Sequence, residues 1–139
     1  MQPQLQLSIK GNLLPDELRN LLQAVGMSVY SPEKLAGVIS GSTSYVTVRD
    51  SGRLIGFGRL LSDRATLAYI NNMAVDPKYQ RQGIGQMILE KLVESAGEVN
   101  SIYLYTNTAD SFYIRNGFQP SEKRLYILRV SPNNQPASS

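Results

Sequence analysis

The chain has 139 residues, 42% of them hydrophobic and 18% charged, and it contains neither cysteine nor histidine. This length and balance are those of one globular domain with a core of its own. The missing residue types exclude disulfides, Ser-His-Asp triads, Cys-His pairs and most zinc sites, so we expect no metal. Acid–base chemistry must then fall to Asp, Glu, Tyr, Lys or the backbone.

Charge and hydropathy also bear on location and partners. The net charge of +3 is dispersed along the chain, which argues against a nucleic-acid partner. The opening residues lack a signal-peptide pattern, and no apolar run approaches the roughly 20 residues of a membrane span. We therefore expect a cytoplasmic protein without a membrane partner. Its single domain should cover 1–130, and 131–139 should form a flexible polar tail.

The first half of the chain predicts a strand, two helices and a hairpin. Alternating apolar residues over 5–11 indicate a half-buried strand. Apolar residues at helical spacing predict helices over 14–26 and 31–40. Pro-Asp-Glu opens the first helix, and Ser-Pro opens the second. Residues 44–50 and 53–61 are β-rich runs joined by an Asp-Ser-Gly turn, which predicts an antiparallel pair.

The second half alternates strands with helices. A strand is predicted over 65–75, and its adjacent amides, Asn71 and Asn72, interrupt the in-out alternation and indicate a bulge or a splay. The remaining predicted elements are a helix over 84–97, a strand over 101–106, a short helix over 108–118 and a last strand over 124–130. This order gives a mixed α/β layer built on one sheet.

The turn after the strand predicted over 65–75 has the chemistry of an anion site. The strand ends at Val75, and a helix opens near Gly83 and Gly85, so unpaired backbone N–H groups and the positive end of the helix dipole face one point. Three further donors precede the glycines: Gln80, Arg81 and Gln82. The spacing fits neither a P-loop nor a dinucleotide fingerprint. A plain structural turn is the alternative.

Two motifs in order carry a family resemblance. Residues 75–85, VDPKYQRQGIG, match the Q/R-x-x-G-x-G/A signature of the GCN5-related N-acetyltransferase (GNAT) superfamily, and 107–118 resemble its second signature, F-Y-x-x-x-G-F. The chain is similar to small bacterial, cyanobacterial and plastid members. The resemblance implies a GNAT fold: one central, mostly antiparallel sheet with a parallel, splayed strand pair, flanked by helices.

The resemblance also implies a site for acetyl-CoA. Its pantetheine arm would lie between the two parting strands, and its diphosphate on the amides of the glycine turn. The residues implied to bind it are Met73, Ala74, Val75, Gln80, Arg81, Gln82, Gly83, Ile84, Gly85, Gln86, Asn107, Phe112 and Tyr113. Tyr113 is the implied catalytic acid, with a core aromatic as the alternative. For Asn107 the alternative is a helix cap.

The general base is missing from the pattern. Relatives often carry a carboxylate where this chain has Asn71 and Asn72, and amides cannot accept a proton. Water, a backbone carbonyl or Asp63 are the candidates for the role, and an acceptor of low pKa needs no base. Asp76, placed before Pro77, is expected to be structural.

Together these features predict an N-acetyltransferase that moves the acetyl group of acetyl-CoA to a primary amine, either a small amine or a lysine. A CoA-binding module without turnover and, less favoured, a nucleic-acid or protein interaction domain are the alternatives. A homodimer is expected from the resemblance alone. Four aromatic side chains are candidates for an acceptor pocket or for ordinary packing: Tyr30, Phe57, Tyr69 and Tyr103.

Overall fold

The computed structural model describes residues 4–28 and 30–130. Five strands and four helices follow one another in the predicted order, apart from the last strand. The strands are β1 (Leu5–Ile9), β2 (Ser44–Asp50), β3 (Arg53–Ser62), β4 (Leu67–Val75) and β5 (Ser101–Tyr103). The helices are α1 (Pro15–Ala24), α2 (Pro32–Gly41), α3 (Ile84–Ser95) and α4 (Asp110–Arg115), with a 3₁₀ turn at Pro77–Tyr79.

The strands form one sheet in the order β1-β2-β3-β4-β5. Every neighbouring pair is antiparallel except β4 and β5, which run parallel. That parallel pairing is short, since it joins only Leu67–Tyr69 to Ser101–Tyr103. Beyond these residues the two strands part. The predicted mixed sheet with a splayed parallel pair is thus confirmed, and the splay begins two residues before Asn71.

A bulge lies in β4 next to the splay. Phe57 pairs with Ala74 and Arg59 pairs with Asn71, so two steps along β3 oppose three steps along β4. Asn72 takes up the extra length in a left-handed conformation, with φ of 56°. Asn tolerates this region better than most residues because its short polar side chain interacts locally. The bulge predicted from the two adjacent amides is confirmed.

The two faces of the sheet pack against different helices. One apolar cluster joins α3 to the sheet through Val46, Leu60, Ile84, Ile88 and Leu92. The other joins α1 and α2 to the opposite face through Leu18, Leu22, Leu35, Tyr45 and Phe57. All three helices show apolar residues at helical spacing, which is why their sequences predicted them correctly. The sheet is therefore covered on both sides along β2, β3 and most of β4.

Gly58 makes the close packing of α3 against the bulge possible. A Cβ there would lie 2.7 Å from Met73 Sδ and 2.9 Å from both Ile88 Cγ2 and Leu92 Cδ1. We expect Gly58→Ala to lower the free energy of unfolding by about 1–3 kcal/mol through overpacking. Gly37→Ala is the matched control, because a Cβ at this α2 position meets nothing within 4 Å. The control should keep or raise stability in chemical denaturation, and equal losses in both variants would contradict the packing argument.

Two predicted strand segments differ from the structure. β5 ends at Tyr103 rather than at residue 106, because the chain diverges from β4 there and loses its hydrogen-bonding neighbour. The strand predicted over 124–130 is wrong: this segment has no ladder in the described residues. Its β-rich sequence is exposed, with Tyr126 at 83% and Leu128 at 85%. A β-rich pattern forms a strand only where a neighbouring backbone pairs with it.

Within residues 4–28 and 30–130, no helix has the length and apolar character to cross a membrane. The same residues bring together no cluster of three or more acidic side chains that could hold a metal ion. The tail predicted for 131–139 lies outside the described residues.

Candidate active site

The turn before α3 is built around two left-handed residues. Arg81 and Gly83 have φ of 66° and 82°, and Gly83 is the N-cap of α3 without a side chain to occupy its free N–H groups. Successive N–H groups in such a conformation form a concave donor surface for an anion. The α3 helix is 12 residues long, so its dipole adds partial positive charge there.

Neighbouring side chains hold this turn in place. Asp76 is 8% exposed and accepts hydrogen bonds from the Lys78 N–H at 2.9 Å and from Arg53 at 3.3 Å. Its predicted structural role is confirmed by these contacts. The Gln80 side-chain amide donates to the Val75 carbonyl oxygen at 3.0 Å, which ties the turn back to β4. Gln80 therefore fixes the loop as well as facing the cavity beside it.

A large cavity of about 920 Å³ opens at this turn, between the end of β4, the first turn of α3 and the helix α4. Eleven of the residues predicted to bind the cofactor line it: Met73, Ala74, Val75, Gln80, Arg81, Gly83, Ile84, Gly85, Gln86, Phe112 and Tyr113. Gln82 and Asn107 do not. The sequence prediction missed six lining residues: Tyr79, Thr108, Ala109, Ser111, Arg115 and Asn116.

Asn107 is not the cap of α4, whose N-cap is Ala109, and its contact with the pantetheine arm stays a prediction. It is exposed and lies outside the cavity lining. The Thr106 hydroxyl oxygen accepts from the N–H of Thr108 at 3.3 Å and of Ala109 at 3.1 Å, which fixes the turn that leads into α4. The helix itself begins after Ala109 without a side-chain cap.

Tyr113 stands where the large cavity meets the splay. Its ring packs edge-on against Phe112 at 5.0 Å and Phe118 at 5.7 Å between centroids, so α4 holds the side chain firmly. Burial raises the pKa of the Tyr113 phenol to about 12. The side chain is therefore a neutral hydrogen-bond donor at any physiological pH.

A small opening of about 20 Å³, here called the splay cavity, lies between β4 and the chain beyond β5. It is lined by Met27, Ile70, Asn71, Asn72, Met73, Leu104, Tyr105 and Tyr113. Tyr113 and Met73 also line the large cavity, so the two spaces share a wall. No carboxylate lies among these residues, and the amides of Asn71 and Asn72 occupy the β4 side.

Asp63 does not fit the role of a base. Its carboxylate accepts the N–H groups of Ala65 at 2.8 Å, Thr66 at 2.7 Å and Leu67 at 3.1 Å, together with the Thr66 hydroxyl. These hydrogen bonds hold the pKa of Asp63 well below its usual range, the Thr66 side chain contributing most. The residue closes the β3–β4 turn, beyond the Ser62–Ala68 pair and away from the splay. This expectation is corrected.

The four aromatic candidates divide between core and surface. Phe57 is fully buried and its ring lies 6.0 Å from Tyr45 in the core beneath α1 and α2. Tyr69 lies 6.1 Å from Tyr105, another aromatic ring beside the splay. Tyr103 is 49% exposed on the edge strand. Tyr69 adjoins the splay on the face of the sheet opposite α3, and Tyr30 lies near Arg59 on that face.

Known proteins share this architecture. The model of the acetyltransferase (GNAT) domain matches residues 40–120. Histone acetyltransferase TAP1 of Glycine max is 30% identical over 132 residues, which cover 85% of this chain but 57% of TAP1. A Staphylococcus aureus structure described as a probable acetyltransferase is 28% identical with a TM-score of 0.80, covering 90% of this chain and 99% of that one.

A further solved structure, N-acetylglutamate synthase of Neisseria gonorrhoeae complexed with coenzyme A and N-acetyl-glutamate, has a TM-score of 0.68 at 22% identity. It covers 84% of this chain and 29% of that one, and at this identity it shows the fold alone.

A parallel strand pair that splays beside a glycine-containing turn and a short helix with a tyrosine is the arrangement of the N-acyltransferase class of α/β fold. With a family model matched over more than half of its length, the chain belongs to the GNAT acetyltransferase family. It spans about half the length of the curated relatives it matches.

Proposed function

We propose that the chain is an acetyl-CoA-dependent N-acetyltransferase that acts on a primary amine, either a small amine or a lysine side chain. One observation carries the proposal: Tyr113 lines both the large cavity beneath the α3 turn and the splay cavity. A proton donor in that position sits between a cofactor-sized cleft and the splay, where we propose that the acceptor approaches.

The large cavity fits the cofactor in size, charge and backbone chemistry. Its volume of about 920 Å³ suits an extended nucleotide thioester, and its lining includes Arg81 and Arg115 but no acidic side chain. The turn at Gly83 would hold the diphosphate, and main-chain groups from Met73 to Val75 would hold the pantetheine arm. When bound, acetyl-CoA would supply an acyl group activated as a thioester.

The residues of the chain then contribute orientation and a proton. Backbone N–H groups of the bulged β4 segment would stabilise negative charge on the thioester oxygen as the amine nitrogen bonds to the acetyl carbon. Tyr113 would donate its phenolic proton to the sulfur as the carbon–sulfur bond breaks, and the proton that the amine nitrogen loses on becoming an amide would return through water to the phenolate. Burial raises the pKa of the Tyr113 phenol, and the same apolar surroundings would raise the pKa of the CoA thiol. The departing sulfur would therefore accept the proton more readily there than in water.

A pH profile tests the absence of a dedicated base. No carboxylate lines the splay cavity, so the acceptor must enter as the free amine. We expect kcat/KM to rise about tenfold per pH unit below the pKa of each acceptor, with the midpoint following the acceptor used. No loss from Tyr113 deprotonation is expected below about pH 11, since its pKa is about 12. One fixed midpoint for acceptors of different pKa would contradict this account.

Thiol release tests the proposed function itself. Purified protein is mixed with acetyl-CoA and a panel of arylalkylamines, amino acids, polyamines, aminoglycosides and lysine peptides, and free CoA is followed. Release that depends on one class of amine supports the acetyltransferase. Acetyl-CoA binding without release across the panel favours the alternative, a CoA-binding module of the same fold.

The exposed segment 124–130 supports a homodimer as part of this proposal. Five apolar side chains of the segment are more than half exposed, and β5 is an edge strand with one free side. A second copy of the chain would cover both features. Sedimentation velocity should show a dimer for the wild type and a monomer for Leu128→Asp, because the variant would bury a charge. A wild-type monomer at all concentrations would refute the dimer.

A further inference from the structure

Arg59 lies on the face of the sheet opposite α3. It pairs with Tyr45 of β2 on one side and with Asn71 of β4 on the other, and Tyr45 belongs to the core beneath α1 and α2. The next residue along β3, Leu60, packs with α3 on the other face. Arg59 therefore lies beside the splay, on the face of the sheet from which an acceptor would approach.

The guanidinium of Arg59 is partly buried but has no acidic partner. Its Nε donates to Asn72 Oδ1 at 3.0 Å, and no carboxylate of the described residues lies within 4 Å of it. Arg49 shows the usual contrast, since its guanidinium is bound by both carboxylate oxygens of Glu17, at 2.7 and 2.9 Å. A partly buried cation without a counter-charge is costly unless something else compensates it.

The two terminal nitrogens of Arg59 are free for a ligand. Within the described part of the chain, no hydrogen bond is made by either Nη group. Every fully enclosed side-chain nitrogen or oxygen of those residues has a partner, so the unbonded Nη groups must reach open space. A fork of two parallel donors matches the geometry of a carboxylate or a phosphate.

The surroundings add donors and positive charge but no anion. The hydroxyls of Tyr30 and Tyr69 are near enough to interact with the guanidinium, and Tyr30 is also within the field of Arg129. Burial lowers the pKa of Arg59, which marks how weakly water solvates its charge. Neutral phenols at such a site can donate to an acidic group alongside the guanidinium.

Asn72 links Arg59 to the reaction centre. Its side chain holds the guanidinium and lines the splay cavity together with Tyr113. A carboxylate at this position would neutralise Arg59, whereas the amide orients the guanidinium and leaves its charge uncompensated. An amide in place of a carboxylate at position 72 thus accounts both for the absence of a base there and for the lack of a counter-charge on Arg59.

We propose that Arg59 binds an acidic group of the acceptor, so that the preferred substrate is a small amine that also carries a carboxylate or a phosphate. This inference rests on the proposed acetyltransferase function and specifies its acceptor. It makes Arg59 a specificity-determining residue on the face of the sheet opposite α3, held in register by Asn72.

The test compares acceptors that differ in the acidic group. Phenylalanine is paired with phenethylamine, and O-phosphoethanolamine with ethanolamine, and kcat/KM is expressed per concentration of free amine to remove the difference in amine pKa. We expect one acidic member to have a kcat/KM roughly 10- to 100-fold above that of its neutral partner, as a charge-assisted hydrogen bond implies. The pair that shows the preference identifies carboxylate or phosphate. No preference in either pair overturns the inference.

Two variants remove the uncompensated charge of Arg59 in different ways. Arg59→Gln deletes the charge, and Asn72→Asp supplies an internal counter-charge, so both should lower the ratio of kcat/KM for the acidic acceptor to kcat/KM for its neutral partner about tenfold or more. Equal losses for both members of a pair would indicate a merely structural role and overturn the inference. Stabilisation of each variant by CoA serves as the check that it is folded.

A binding measurement decides the matter if no amine turns over. Titration of N-acetylphenylalanine and N-acetylphenethylamine into the CoA-saturated protein should show tighter binding of the acidic compound, lost in Arg59→Gln. Indistinguishable binding overturns the inference even though CoA is bound. Failure of the protein to bind CoA at all is a different result, since it refutes the proposed function as well.

Discussion

Replacing Tyr113 with phenylalanine is expected to lower kcat by about 10²- to 10⁴-fold, the range in which a positioned general acid contributes. The change removes one hydroxyl from a side chain whose ring contacts with Phe112 and Phe118 remain. Because those contacts hold α4 in place, the affinity for CoA and the unfolding midpoint should change little. Steady-state thiol release and a CoA titration on the same preparation measure both effects.

Tyr103→Phe is the matched control for this prediction. Tyr103 is 49% exposed on β5, and it lines neither the large cavity nor the splay cavity. The control should retain kcat within about twofold, as expected for a surface change away from the reacting groups. Full activity of Tyr113→Phe would show that another donor or water protonates the sulfur, and would remove Tyr113 from the mechanism.

Replacing Gly83 with alanine is expected to weaken CoA binding at least about tenfold, since one lost charge-assisted hydrogen bond already has that effect. The Cβ would meet no protein atom within 4 Å, and Gly83 lines the cavity in which the diphosphate is proposed to lie. The left-handed φ of 82° adds strain of about 1–2 kcal/mol to the folded state. Calorimetric titration measures the affinity and denaturation measures the strain.

Gly52→Ala separates these two effects. Gly52 has a φ of 91° and equally open surroundings, but it lies in the β2–β3 turn and lines neither cavity. Both variants should lose similar stability, and only Gly83→Ala should lose affinity for CoA. If the two variants bind CoA equally well, the turn before α3 is not where the diphosphate lies.

Local chemistry was sufficient to predict the elements that build the site. Ser31 and Pro32 start α2, Gly83 starts α3, and the helical spacing of Ile84, Ile88 and Leu92 continues it. The adjacent amides at 71 and 72 correctly indicated a bulge, because they break the alternation of a strand. These features depend on residues within a few positions of one another.

Features that depend on distant partners could not be read in this way. The segment 124–130 has a strand composition, but no described neighbour pairs with it. Asp63 looked available as a base until the closing of its turn placed three N–H groups on its carboxylate. The uncompensated charge of Arg59 depends on the register of β3 against β4 and on the absence of an acid beside it among the described residues.

The most direct test of the central claim is the unfolding of the wild-type protein with and without acetyl-CoA. A ligand that binds only the folded state stabilises it by about 2.7 kcal/mol at 100 times its Kd. The account predicts a shift of this size that grows with the logarithm of the ligand concentration, is shared by CoA and is much reduced in Gly83→Ala. An unchanged unfolding curve at millimolar acetyl-CoA would contradict the assignment of the large cavity, and with it the proposed acetyltransferase.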